Sequence, residues 1–104
     1  MSDAAEIRRN LVVQRWGTPQ TTVGSLNEPR EREENGVGFN EKWVYRLPRV
    51  EPDDPCERLV YWHRYDFVAA FLVYADGRVA REDAATVLAG LRSREYVPLT
   101  SSCD

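Results

Sequence analysis

A chain of 104 residues is long enough for one hydrophobic core but too short for two independent domains, so we expect a single domain over residues 1–104. Its composition, with 42% hydrophobic and 30% charged residues, is that of a globular protein and excludes collagen-like and intrinsically disordered chains. The formal net charge of −3, with acidic residues spread along the chain, argues against a protein that holds nucleic acid through its phosphates.

The first predicted element is an amphipathic helix from about Asp3 to Trp16. Apolar residues recur there at steps of three and four, which places them on one side of a helix. Gly17, followed by Pro19, is a typical helix stop signal. A strand through residues 11–13 is the alternative, because valine is compatible with both states.

A short edge strand is expected at residues 21–25, followed by a loop over residues 27–41 that is rich in glycine and asparagine. If both flanks of this loop form strands, Asn35-Gly36 is the natural apex of a hairpin.

Alternating apolar and polar residues predict a strand at 42–47, and a Pro- and Asp-rich loop follows at 48–57. The next stretch, 57–75, is rich in aromatic and branched residues and would be about 60 Å long as one straight strand. We therefore predict two strands, 58–64 and 67–74, with one strongly bent strand as the alternative.

Asp76-Gly77 predicts a tight turn into a short strand at 78–81, and an amphipathic helix follows at 82–94. Residues 1–2 and 98–104 are expected to be disordered. The predicted fold is a two-layer α+β domain: an antiparallel sheet of three to five strands, with an N-terminal and a C-terminal helix packed on one face.

Strand alternation divides the aromatic residues between two faces. The more apolar, odd-numbered face is expected to pack against the helices; it holds Trp43, Tyr45, Leu47, Leu59, Tyr61, Tyr65, Phe67 and Phe71. The even-numbered face combines tryptophan with arginine, the residues that dominate protein–protein binding energy. Its candidate partner-binding residues are Arg46, Arg58, Val60, Trp62 and Arg64. A solvent-facing sheet on which arginine stems cover a tryptophan is the structural alternative.

A curved sheet closing on a helix would instead form a small-molecule pocket. Its candidate lining residues are Tyr45, Tyr61, His63 and Tyr65. An imidazole is the side chain most often used for acid–base chemistry, but alternation places His63 on the packed side, without a carboxylate from its own strand. A partly buried structural histidine is the favoured interpretation.

The two cysteines, Cys56 and Cys103, lie 47 residues apart, and no CxxC, CxxH or HxxxH spacing occurs, so no metal site and no cofactor is expected. Free, exposed thiols are favoured over a disulfide. No apolar run approaches the length of a membrane span and the acidic N-terminus is unlike an export signal, which predicts a cytoplasmic protein with no membrane contact.

Three segments resemble the small lipoprotein fold of the outer-membrane barrel-assembly machinery and the related β-lactamase inhibitory proteins. They are Arg15-Trp16-Gly17-Thr18-Pro19 after a helix, Glu41-Lys42-Trp43-Val44-Tyr45, and Phe71-Leu72-Val73-Tyr74-Ala75-Asp76-Gly77-Arg78-Val79. The resemblance implies a domain that binds other proteins on its sheet and loops and is not an enzyme. Those families start with a helical pair and carry an export signal, so only the sheet-based binding of proteins is carried over.

Together these observations favour a non-catalytic protein-interaction module or small accessory subunit. Its expected partner is another protein or a second copy of the chain, and neither a membrane nor nucleic acid is expected. The alternative is a small-molecule-binding protein or enzyme that uses the pocket described above.

Overall fold

A computed structural model describes residues 3–93 and shows an α+β fold. Within this range the helices are α1 (Asp3–Glu6), α2 (Arg9–Trp16) and α3 (Ala84–Arg92). The strands are β1 (Thr21–Gly24), β2 (Arg32–Glu34), β3 (Val37–Phe39), β4 (Glu41–Arg46), β5 (Pro55–His63), β6 (Asp66–Tyr74) and β7 (Val79–Glu82). The predicted fold class is confirmed, whereas the expected disorder at 1–2 and 98–104 lies outside the described residues.

The main sheet has five strands in the order β1-β4-β5-β6-β7, and every neighbouring pair is antiparallel. Two separate strands, β5 and β6, occupy the aromatic stretch, as predicted, because the chain reverses at Arg64 and Tyr65. The predicted Asp76-Gly77 turn is also present. Its geometry is set by the Gly77 amide, which donates to the carbonyl of Tyr74.

The N-terminal helical segment is interrupted where one continuous helix was predicted. Arg8 has an extended backbone between α1 and α2, with φ −110° and ψ 151°. Ile7, immediately before the break, and Val12, in α2, are both buried. The predicted end is confirmed: Gly17 adopts a positive φ and its amide donates to the carbonyl of Val13.

The three helices cover one face of the main sheet. The buried cluster there combines Ile7, Val12, Trp16, Val87, Leu88 and Leu91 of the helical layer with Trp43, Tyr45, Leu47, Val60, Trp62 and Ala70 of the sheet side. Burying side chains of this size is the main favourable contribution to folding.

The opposite face is covered by the β2–β3 hairpin, which lies within the predicted loop 27–41. Val37 and Phe39 pack there on Leu59, Tyr61 and other sheet residues. The proposed apex is confirmed, since Asn35 and Gly36 both have positive φ, 54° and 80°.

Strand register explains why the two faces differ from the predicted division. Trp43 pairs with Val60 and Val44 pairs with Leu59, so odd-numbered residues of β4 share a face with even-numbered residues of β5. A shift of one residue in register exchanges the faces of a whole strand. Leu59, Tyr61 and Phe71 are therefore buried under the hairpin and not under the helices.

Candidate binding site

The predicted partner-binding residues do not form a surface. Trp62 and Val60 are 0% exposed and Arg58 is 7% exposed, because these three face the helices. Arg46 is exposed, but it pairs with Glu57 and lies on the opposite face. Arg64 lies in the β5–β6 turn, beyond the end of the strand. The interpretation of these residues as one exposed arginine–tryptophan face is wrong, and the unpredicted β4–β5 register is the reason.

Trp62 does lie near an arginine, but this arginine comes from α2. The guanidinium carbon of Arg9 is 5.6 Å from the centroid of the Trp62 ring and 4.8 Å from that of Trp43. Glu41 accepts hydrogen bonds from Arg9 and, at 2.9 Å, from the indole N–H of Trp43. This buried carboxylate neutralises the charge of Arg9 and fixes the N-terminal end of α2 to the sheet.

Arg58 has a structural role between the sheet and α2. Its Nε donates to the Glu82 carboxylate at 2.8 Å, and its guanidinium carbon lies 4.2 Å from the centroid of the Trp16 ring. Both charged side chains are more than nine-tenths buried. The pair joins β5 to β7, and it is not available to a partner.

The alternative pocket is not formed either, because its residues lie on different faces. Tyr45 is fully buried under α2, and its hydroxyl donates to the carbonyl of Gly17 at 2.8 Å. Burial raises the pKa of the Tyr45 phenol far above its ordinary value. Tyr61 lies on the other face of the sheet, in the cluster beneath the β2–β3 hairpin.

Tyr61 holds this hairpin by its hydroxyl group. The hydroxyl donates to Glu34 and accepts a hydrogen bond from Asn35 at 3.0 Å. Burial, together with the neighbouring Glu34 carboxylate, raises the pKa of Tyr61. Burial acts to raise the pKa of Glu34, but hydrogen bonds from Tyr61 and Lys42 outweigh it and lower that pKa. A neutral phenol bound to a carboxylate anchors the hairpin and does not supply a proton at neutral pH.

His63 is exposed at the end of β5, where a partly buried histidine was predicted. Its Nε2 lies 3.1 Å from a carboxylate oxygen of Glu31, on the β1–β2 connection. The side chains of both residues are largely exposed, at 47% and 72%. The predicted packing of His63 fails because β5 ends at this residue and the chain turns.

The turn that follows β5 is held in an unusual conformation. Arg64 has a φ of 58°, which is uncommon for a residue with a side chain. The buried side chain of Asn40 accepts a hydrogen bond from the Arg64 amide at 2.8 Å. The Arg64 guanidinium donates to the carbonyls of Leu26 and Glu28. These bonds fix the turn and leave the side chain of Tyr65 largely exposed to solvent.

Two neighbouring clefts open beside Tyr65. The larger, about 380 Å³, is lined by Ala4, Ala5, Ile7, Arg8, Tyr65, Asp66 and Phe67. The smaller, about 180 Å³, is lined by Arg8, Arg9, Asn10 and Tyr65. Arg8 and Tyr65 line both clefts, and we call these nine residues the Tyr65 site.

The chemistry of the two clefts differs. The larger one has an apolar lining with one acid, Asp66, and one base, Arg8. Every side chain around the smaller one carries a hydrogen-bond donor, and none carries a carboxylate. Arg9 is neutralised by Glu41, but Arg8 forms no ion pair within residues 3–93. The smaller cleft is therefore suited to an anionic group.

Of the residues around the Tyr65 site, Arg64 belongs to the predicted partner-binding set and Tyr65 to the predicted pocket, whereas Arg8 and Asn10 belong to neither. The only available signal was the polar run from Arg8 to Asn10 inside an otherwise amphipathic helix.

Other classes of site find no support in the part of the chain that the structure describes. Between residues 3 and 93, no three histidine, cysteine or carboxylate side chains converge as metal ligands would. None of the described helices has the length and apolar character to cross a membrane. No protein-family model, curated protein or solved structure matches the chain.

Proposed function

We propose that the protein is a non-catalytic protein-interaction module that binds its partner at the Tyr65 site. The observation that carries this proposal is the exposure of Tyr65, 72%, on a hydrogen-bonded turn, beside Arg8, which has no ion-pair partner among residues 3–93. Tyrosine and arginine are enriched among the residues that dominate interface energies. A rigid turn also loses little conformational entropy when a partner binds.

The two clefts define what the partner presents. Ala4, Ala5 and Phe67 suit a small apolar side chain, and the donors around the smaller cleft suit a carboxylate. Both clefts share Arg8 and Tyr65, so the two groups have to lie close together on the partner. We therefore expect a segment in which an aspartate or glutamate is next to a small apolar residue.

The resemblance to the small lipoprotein fold stays a prediction, and it agrees with this proposal only in the kind of activity. It implies protein binding on the sheet and loops. The described sheet faces are covered by the helices and the β2–β3 hairpin, so the proposal uses a turn and a helix junction instead.

Binding to an array of synthetic peptides tests the proposal. The array pairs valine with glutamate, glutamine or lysine in one extended sequence. We expect binding to the Val–Glu peptides, loss of at least about tenfold in affinity in the Arg8→Ala/Tyr65→Ala variant, and weaker binding at high salt.

The matched control is Arg78→Ala/Tyr74→Ala, the same two residue types at the other end of the sheet, where Arg78 stacks on Tyr74 at 4.1 Å. It should bind the peptides as the unchanged chain does. Equal affinity for the lysine and glutamate peptides, or equal loss in both double variants, would contradict the proposal. Binding of single-stranded nucleic acid in preference to every peptide would also contradict it.

The oxidation state of Cys56 bears on the cellular compartment in which the protein binds its partner. Cys56 is fully buried and disulfide-bonded, so the expected free, exposed thiol is wrong for this residue; Cys103 lies outside the described residues. Disulfides are rare in reducing compartments. We therefore propose an oxidising compartment in place of the predicted cytoplasm, which fractionation of the native host would test.

A further inference from the structure

We infer that a second copy of the chain supplies the segment that the Tyr65 site binds, through the loop between β4 and β5. The contact would be head to tail, with Val50 and Glu51 of one copy at the Tyr65 site of the next. This inference rests on the proposed function and names a partner for the same site.

The β4–β5 loop presents an apolar side chain to solvent. Val50 is 86% exposed, more than any other large hydrophobic residue among residues 3–93. The carboxylate of Asp54 accepts hydrogen bonds from the amides of Val50 and Glu51, at 3.0 and 2.9 Å. Arg49 donates to the carbonyl of Pro52 at 3.1 Å. These three hydrogen bonds brace the loop from within, which reduces the conformational entropy that it loses on binding.

The charges of the loop and of the site are complementary. Val50 is flanked by a base, Arg49, and an acid, Glu51. The larger cleft carries an acid, Asp66, and a base, Arg8, around its apolar lining. A loop seated with Glu51 on Arg8 brings opposite charges together and places Val50 at the apolar lining. This is the acidic–apolar chemistry expected of the partner.

The two surfaces lie at opposite ends of the central strand. The loop precedes Pro55 and the Tyr65 turn follows His63, so β5 separates them by about 30 Å at roughly 3.3 Å per residue. One chain cannot bring its own loop to its own site. In a head-to-tail arrangement each contact leaves one site and one loop unoccupied, so it builds open chains or closed rings, whereas two antiparallel copies that exchange loops would close as a dimer.

Mixing two complementary variants tests this geometry. In the site variant, Arg8→Ala/Tyr65→Ala, the site is removed and the loop is kept. In the loop variant, Val50→Ala/Glu51→Ala, the loop is removed and the site is kept. We expect the weight-average mass of the unchanged chain, measured by sedimentation velocity up to about 1 mM, to rise above its 12.0 kDa. Each variant alone should stay at 12.0 kDa.

An equimolar mixture of the two variants is the decisive sample. Each pair of unlike variants has one intact site and one intact loop between its two chains. The mixture should therefore form a 1:1 complex and no larger assembly. Arg30→Ala, at an exposed arginine outside both surfaces, should associate as the unchanged chain does. Circular dichroism of every variant establishes that it folds.

Three results would overturn the inference: a mass of 12.0 kDa for the unchanged chain throughout, association of either variant alone, or no pairing in the mixture. The peptide array separates this failure from failure of the proposed function. If the chain is monomeric but still binds Val–Glu peptides through Arg8 and Tyr65, only the identity of the partner is wrong.

Discussion

Gly24 and Gly36 both have a positive φ but differ in the space around them. Gly24, at the end of β1, has a φ of +77°, and a Cβ there would lie 2.1 Å from the carbonyl oxygen of Asn40. Gly36, at the apex of the β2–β3 hairpin, has a φ of +80° and no atom within 4 Å of such a Cβ. Comparing Gly24→Ala with Gly36→Ala therefore separates the cost of close approach from the cost of a positive φ.

The magnitudes differ because only one variant has to move the backbone. A positive φ costs alanine about 1–2 kcal/mol, and the stiffer unfolded chain offsets about 0.4–1 kcal/mol of this, so Gly36→Ala should destabilise by about 1 kcal/mol. In Gly24→Ala, β1 and Asn40 have to separate by roughly 1 Å. This strains the bonds that buried Asn40 makes with the carbonyls of Trp62, Ser25 and Leu26. Three bonds at about 1 kcal/mol each, added to the cost of about 1 kcal/mol for the positive φ, give a total loss of about 4 kcal/mol.

Urea unfolding followed by tryptophan fluorescence measures both variants, since Trp16, Trp43 and Trp62 are all buried. We expect the free energies of unfolding to differ by about 3 kcal/mol, and the melting temperatures to differ by about 15 °C for a domain of this size. Gly17→Ala, at φ +82° and ψ −173°, enters a backbone region that is open essentially to glycine alone, so it should destabilise by more than Gly36→Ala although no atom lies within 4 Å of its Cβ. A difference below about 0.5 kcal/mol between the first two variants would refute the argument that the close contact is rigid.

Three further predictions concern single contacts. Glu82→Ala should lower the free energy of unfolding by about 3 kcal/mol because it removes the carboxylate bound to buried Arg58. The double variant Arg58→Leu/Glu82→Leu should recover most of this loss in the same urea assay. The Thr86 amide donates to Asp83 and lowers the pKa of that carboxyl group, so the stabilisation by Asp83 is complete above a pH of about 4 and is lost as pH falls through the lowered pKa. The stability difference between the unchanged chain and Asp83→Asn should therefore shrink between about pH 7 and pH 2, and a constant difference would contradict this. Alkylation in denaturant without a reductant should leave Cys56 unlabelled in peptide mass spectra, and labelling there would show a free thiol.

Local signals predicted most elements of this fold because turns and caps depend on nearby residues. Gly17 ends α2, Asn35-Gly36 forms the hairpin apex, and Asp83 caps α3 through the Thr86 amide. Each of these contacts joins residues no more than four positions apart, so the sequence pattern contains both partners. The same reasoning correctly separated β5 from β6, since a 19-residue straight strand would exceed the size of the domain.

The division of residues between the two sheet faces could not be predicted in the same way. It depends on the pairing of Trp43 with Val60, which is set by the path of the β4–β5 loop and by packing on both faces. The alternation of side chains within one strand does not determine the register between two neighbouring strands. Trp62 was therefore placed on the surface, although it is fully buried.

The Tyr65 site depends on two interruptions of regular structure, and alternation cannot describe either. Continuing the β5 pattern through the turn placed Tyr65 in the core, but the positive φ of Arg64 reverses the chain one residue earlier. Continuing the helical pattern through Arg8 placed that residue on the polar side of one long helix, but the extended backbone there ends α1 and opens the clefts. The turn at Arg64 is stabilised by a residue distant in sequence, since Asn40 accepts a hydrogen bond from the Arg64 amide. If the turn conformation creates the site, Asn40→Ala should weaken peptide binding even though Asn40 is buried and lines neither cleft. Binding unchanged in a folded Asn40→Ala chain would show that the site does not need this turn.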